Sequence, residues 1–260
     1  MRVERSVSLN DYAKLFDFDW AKEFDARASG TEIENASRAL LSTWRGIGNT
    51  FRMPFVMVEL MHAFAKTYTD DESYLHGICA QLANELGRRM EEKLSQNKAK
   101  QLEREMKKIA AAVPPKVRPE TFSAGKLWER ILEEKEVRLI QWSAQQQCFT
   151  NLYFAYDHFM VECLCCQLKD RDIELYANRA EKLFTSAFDT PTYEFCSNDH
   201  DVIVARLCRN DLAHNGGFET DRLRSKGHSF RVIDGRLCIL PHDNRTLFDR
   251  LTVSVHQSHN

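Results

Sequence analysis

The chain of 260 residues carries 36 Lys and Arg against 38 Asp and Glu, a formal charge of −2, with 43% hydrophobic and 28% charged residues. That balance suits a globular fold of one or two domains and excludes a broad basic surface of the kind that grips duplex DNA at any sequence. With 10 Gly and 6 Pro, it also argues against disordered, collagen-like and loop-rich all-β chains.

No apolar run approaches the ~20 residues that span a bilayer. The opening Met-Arg-Val-Glu-Arg-Ser lacks the apolar stretch of a secretory leader, so a cytoplasmic protein without a membrane partner is expected. The eight cysteines then read as reduced thiols rather than a disulfide framework.

Apolar residues recur at spacings of three and four, which predicts an all-α protein. A first helix is expected from Ser8, with Asp11 completing a capping pattern, to about Ala28. A second begins near Thr31 and is broken at Pro54; a third runs through Val58, Met61, Phe64 and Ala65. The acidic Asp70-Asp71-Glu72 opens the next helix, which carries Leu75, Ile78, Leu82, Leu86, Met90 and Leu94, then Leu102, Met106 and Ile109. Prolines at 114, 115 and 119 cannot continue it and favour an extended spacer. The expected division is an N-terminal helical domain at 1–112, a linker at 113–122 and a second helical domain at 123–260.

Within the second domain, residues 126–169 form one very long helix or two in succession, and 172–188 form the next. Asn198-Asp199 opens a helix through Val202, Leu207 and Leu212 that stops at Asn215-Gly216-Gly217, residues that tolerate positive φ. Two apolar runs around Asp234-Gly235, within Phe230–Leu240, predict a hairpin. A closing helix is expected at 245–256.

Six of the nine histidines fall in the last 61 residues, beginning at His200. Among them, Arg209-Asn210-Asp211-Leu212-Ala213-His214-Asn215 places a cation, an amide and an imidazole in the last turns of a glycine-terminated helix. Asn210 and His214, four apart, share a face, so the amide could set the imidazole tautomer. Arg209 and His214, five apart, are rotated by roughly 140° and do not close on one small ligand within a single helix. Two copies of the motif facing each other across a twofold axis would solve that geometry. Bare Arg-x(4–6)-His spacing is uninformative, since Arg236/His242 and Arg250/His256 share it. The Asn after Arg209, the helix end after His214 and the preceding helices set the first pair apart.

Over about residues 125–260 this pattern resembles the HEPN superfamily of helical ribonuclease and nucleotide-binding domains. The match rests on Arg209, Asn210 and His214, and on the order of parts: a long helix with a mid-helix acid, Asp157, a second helix, the motif at the end of a third, and a closing helix. The resemblance implies a HEPN-like four- or five-helix bundle, here with a small hairpin. It also implies a homodimeric, metal-independent endoribonuclease acting on single-stranded RNA as a toxin or phage-defence effector, with no cofactor and no bound metal.

In that reading Arg209 and His214 are catalytic, Asn210 orients His214 or contacts phosphate, and Asp157 positions Arg209. The guanidinium suits a phosphate whose charge grows in the transition state, and an imidazole can move the protons of 2′-OH attack. Toxins of this superfamily paired with small nucleotidyltransferase antitoxins usually carry Tyr two residues after the His. This chain has Gly216 there, which favours a stand-alone or defence-associated nuclease. The rival reading is a non-catalytic RNA- or nucleotide-binding or dimerisation module.

Two further patterns stand apart. Cys163 and Cys166 with Cys196 and His200 have spacings that zinc sites use, though the first pair lies in an apolar helical run where buried free thiols are common. Phe16, Phe18, Trp20 and Phe24, interleaved with Asp17, Asp19 and Glu23, form either a partner-docking helix or part of the packing of the N-terminal domain. Gly46-Ile-Gly48 lacks the third glycine and the preceding strand of a phosphate loop.

Overall fold

The computed structural model describes residues 8–13, 16–67, 104, 123–176 and 178–258. Among them the protein is helical apart from one two-stranded antiparallel sheet, as the apolar spacing predicts. None of the described helices is long and apolar enough to cross a membrane.

The chain divides into two compact units, one of Met1–Phe55 with Ile131–Asn260 and one of Val56–Arg130. This corrects the expected division into 1–112 and 123–260: the first helices pack within the same unit as the C-terminal half. The linker at 113–122 and, apart from Arg104, the helix from Leu75 to Ile109 lie outside the described residues.

The first unit is organised on a 34-residue helix, Lys135–Leu168, here α5. It follows a short helix α4, Ala124–Ile131, so the stretch 126–169 is two helices. Apolar residues on α5, among them Phe149, Leu152, Tyr156, Phe159, Met160, Cys163 and Leu164, recur at threes and fours and give the wide buried face of a central helix. It ends where Lys169 turns left-handed at φ 54.

At the N-terminus Ser8 and Asp11 form the expected capping box, yet they cap only a single 3₁₀ turn, Leu9–Tyr12. Residues 16–18 are non-helical, and α1 spans only Ala21–Ala28. The cause is local: Asp17 Oδ1 accepts the Asp19 amide at 2.9 Å and Asp17 O accepts Trp20 Nε1 at 2.8 Å. Such side-chain turns compete with helix. The extended segment presents Phe16 and Phe18 to Phe248, at ring separations of 4.5 and 5.2 Å. The acidic–aromatic segment is therefore packing, not a docking helix.

Helix α2, Glu34–Phe51, lies along α5. Its Gly48 is needed for close approach, since a Cβ there would meet Phe16 Cδ2 at 2.8 Å. The Gly46-Ile-Gly48 run is thus helical interior. Helix α3, Met53–Thr67, starts with Pro54 in its first turn, where the missing N–H costs nothing.

After α5 the expected helix at 172–188 shortens to α6, Ala180–Ala187. A separate helix α7, Thr190–Cys196, follows, with Pro191 in its first turn and the Thr192 amide capped by the Asp189 side chain. Helix α8, His200–His214, is capped by Asp199 and ends at Gly216 and Gly217, with φ of 60° and 79°. A short helix α9, Asp221–Arg224, leads to the hairpin of β1, Arg231–Ile233, and β2, Arg236–Cys238, in register Val232 to Leu237. Its turn holds Asp234 and Gly235 at φ of 51° and 75°, as the hairpin signal predicts. Helix α10, Pro241–Gln257, starts four residues earlier than expected, and packs on α5 and α8. Buried Asn244 donates to Gln145 O and Oε1 at 3.2 and 2.9 Å, tying α10 to α5.

Candidate functional site

Helix α8 runs against α5 and carries Arg209 and Asn210 into a pocket of ≈200 Å³, where they meet Tyr153, Tyr156 and Asp157 of α5. Arg206 of α8 and Arg222 of α9 line the same pocket. The Arg209 guanidinium lies 5.5 Å above the centre of the Tyr153 ring, a cation–π arrangement. Arg209 Nη2 is 3.6 Å from Asp157 Oδ2, an ion pair too long for a good hydrogen bond. Arg209 Nε is buried and has no hydrogen-bond partner. The guanidinium is therefore held in place with bonding capacity to spare.

Burial pushes the Asp157 carboxyl above its ordinary range, and the neighbouring Arg209, Arg206 and His158 only partly oppose this. At 3.6 Å the pairing is too loose to outweigh desolvation. The sign follows from linkage: a carboxyl whose folded pKa is raised costs stability once the pH exceeds its unfolded value, and the cost disappears below it. Asp157→Asn is therefore expected to leave stability unchanged or raise it at neutral pH, with the difference from wild type vanishing as the pH falls through the carboxylate range. Urea unfolding at several pH values measures this; a clear loss of stability at neutral pH would show the ion pair to be net stabilising.

His214 stands elsewhere. It is exposed on the last residue of α8, about 7.5 Å further along the helix axis than Arg209, and is not part of the pocket lining. No hydrogen bond joins Asn210 to His214, so the amide does not set the imidazole tautomer and instead faces the pocket with Arg209. The structure thus brings together Arg209, Asn210 and Asp157, and leaves His214 at the rim of the bundle.

The helix end that presents His214 is built by Asp211, only 3% exposed. Its Oδ1 accepts Asn215 Nδ2 at 2.9 Å, and its Oδ2 accepts the Thr220 amide and hydroxyl at 2.9 and 3.0 Å. Its carbonyl accepts the amides of Asn215 and Gly217. The hairpin braces the same segment, with Leu237 N donating to Gly217 O and Glu219 N to Gly235 O. Asp211→Asn replaces one acceptor by an NH₂ that confronts donors, and each buried group left unpaired costs ~1–3 kcal/mol. A fall in stability of that size is expected in urea unfolding; an unchanged midpoint would show that the helix end is held by the hairpin alone.

A second cavity, of ≈410 Å³, lies between α8, α10 and the residues before β1, and is lined by His200, His228 and His242. His228 Nε2 is 2.7 Å from Glu219 Oε1, and Arg224 Nε donates to Glu219 Oε2 at 2.9 Å. Hydrogen bonds from His228 and Arg224 outweigh desolvation and draw the Glu219 carboxyl below its ordinary range. These contacts tie α9 to the approach to the hairpin.

The zinc pattern is not assembled. Cys163 and Cys196 are buried, Cys196 Sγ donates to Ser254 O and Cys166 Sγ to Glu32 O, while His200 lines the second cavity. No group of three or more His, Cys, Asp or Glu that could hold a metal occurs among the described residues.

Sequence reasoning missed Arg206, Arg222 and the tyrosines. Arg206 was findable, because Arg206, Arg209 and Asn210 are spaced three and four apart and share one helix face. Arg222 was not, since only the turn after α8 returns it to the pocket. Comparison with protein-family models, with curated proteins and with solved structures finds no match.

Proposed function

We propose that the chain is a metal-independent endoribonuclease of HEPN type, cutting single-stranded RNA as a homodimer, in the cytoplasm, as a toxin or phage-defence effector. The observation that carries this reading is the meeting of Arg209 and Asn210, at the end of α8, with the mid-helix Asp157 of the long α5 in one cationic pocket, while His214 stays exposed on the next turn. The contact of Asp157 with Arg209 supports the part of the reading in which that acid positions the arginine.

In the reaction the ribose 2′-oxygen attacks its own phosphorus, the bond to the 5′-oxygen breaks, and the 2′-proton departs as the 5′-oxygen gains one. The products are a 2′,3′-cyclic phosphate and a 5′-hydroxyl. Arg209 offers paired N–H donors to the phosphate as its charge grows, and Asn210 adds an amide donor on the same helix face. His214 carries the proton. One imidazole can take a proton or give one at a given moment, so concerted transfer calls for two, which a second copy facing the first would supply. The exposure of His214 supports that arrangement.

The test is incubation of the full chain with mixed-sequence single-stranded RNA in EDTA, followed by end analysis. Cleavage with cyclic phosphate ends bears the proposal out; no cleavage by a folded dimer overturns it. A second reading, an RNA- or nucleotide-binding module without catalysis, is favoured by one observation: Arg209 is engaged by Asp157 and Tyr153, with His214 outside the pocket. It predicts binding of the same RNA without any cut.

A further inference from the structure

The pocket beside Arg209 holds more positive charge than the motif requires. Three guanidinia, those of Arg206, Arg209 and Arg222, line it, and Asp157 is the sole carboxylate among its lining residues. Arg206 and Arg222 form no ion pair with any described residue, and Arg209 Nε is buried without a partner. The phenols of Tyr153 and Tyr156 are neutral at ordinary pH, and burial raises their pKa further, so they add no negative charge. Three guanidinia around a concave site, held by one loose ion pair between Arg209 and Asp157, leave cationic charge in excess and suit a polyvalent anion, and their planar forks match phosphate oxygens. The volume of ≈200 Å³ is below the ~300 Å³ at which pockets for whole drug-sized ligands begin, and suits a phosphate with part of its sugar.

We infer that this pocket is a phosphate subsite, in which Arg206 and Arg222 hold the phosphate of a nucleotide adjoining the one that is cut. The inference rests on the ribonuclease reading for the identity of the strand, but not for the binding itself. Arg206 lies one turn back from Arg209 on α8, and Arg222 reaches the same pocket from α9. The bound phosphate is either a terminal monoester or the next diester along the chain. Both present the same oxygens to the arginines.

Calorimetric titration of the full chain tests this with four probes: adenosine, adenosine 5′-monophosphate, inorganic phosphate and the dinucleoside monophosphate ApA. Adenosine 5′-monophosphate and phosphate are expected to bind, with adenosine at least ~10-fold weaker than its monophosphate. Binding of ApA as tight as the monophosphate identifies an internal diester; much weaker binding identifies a terminal one. The double variant Arg206→Gln with Arg222→Gln should lose ~10–100-fold in affinity for the monophosphate, and Arg206→Lys with Arg222→Lys should recover part of it.

Arg206 is half-buried and Arg222 exposed, so thermal unfolding of the variants should match wild type. His214→Ala should bind the monophosphate like wild type. Equal affinity for adenosine and its monophosphate, absence of monophosphate binding to wild type, or wild-type affinity in the folded glutamine variant would overturn the subsite. Cleavage of RNA alongside any of those results leaves the ribonuclease standing and removes only the subsite. Arginine-dependent phosphate binding without cleavage does the reverse.

Discussion

His214→Ala should abolish RNA cleavage while leaving the fold intact. A positioned acid–base group contributes typically ~10²–10⁴-fold to rate, and in the proposed homodimer the loss of both copies removes proton transfer at both ends of the proposed reaction. The fold should tolerate the change because the side chain is exposed at the terminus of α8, where surface substitutions shift stability by only ~0.5 kcal/mol. Asp211 and the hairpin, not the imidazole, hold the helix end. Initial rates on a fluorescent single-stranded RNA, with circular dichroism and unfolding of the same samples, measure both halves. Cleavage by the variant at the wild-type rate would move the chemistry away from His214. Arg209→Ala is a less clean probe, because it also strips a cation from Tyr153 and the counter-charge from Asp157.

Trp44→Ala should be the most destabilising single change in the N-terminal part, by ~3–5 kcal/mol. Trp44 is fully buried, with its ring 6.2 Å from Trp20 and 5.1 Å from Phe248. Its Nε1 donates to Leu152 O of α5 at 3.2 Å. Truncation would open a cavity where α1, α2, α5 and α10 converge. Against a typical total of ~5–15 kcal/mol, that loss is large. Trp44→Phe keeps most of the ring and gives up the single N–H bond, so a cost nearer ~1 kcal/mol is expected.

The experiment also checks the division of the chain. In denaturant, wild type and Trp44→Ala should each lose the helices of the first unit in one transition, displaced to lower denaturant in the variant. A variant in which residues 1–55 unfold while α5, α8 and α10 keep their wild-type transition would mean that the N-terminal helices are an appendage.

What the sequence determined by itself is local. The turn at Asp234-Gly235, the stop at Gly216-Gly217, the caps at Ser8 and Asp199 and the three-and-four spacing along α5 each depend on residues within a turn or two of one another. Backbone preference and side-chain periodicity act at that range, so these features were legible before any fold was known. The motif at Arg209, Asn210 and His214 and its placement on a helix end were legible for the same reason.

Tertiary structure decided the rest, because it depends on pairs far apart in the chain that no local spacing encodes. It set Phe16 and Phe18, which the local Asp17 turn keeps out of α1, against Phe248. It joined residues 1–55 to the C-terminal half through Trp44 and Leu152, across a proline-rich stretch that composition alone read as a boundary. It brought Arg222 to Arg206, leaving three guanidinia around one pocket, and made Asp211 a buried brace where the sequence shows only one more charge on a helix. The separation of His214 from the pocket that holds Arg209 is the exception: five residues on an α-helix point two side chains in different directions, a local fact, and only contacts beyond that helix can bring them back together.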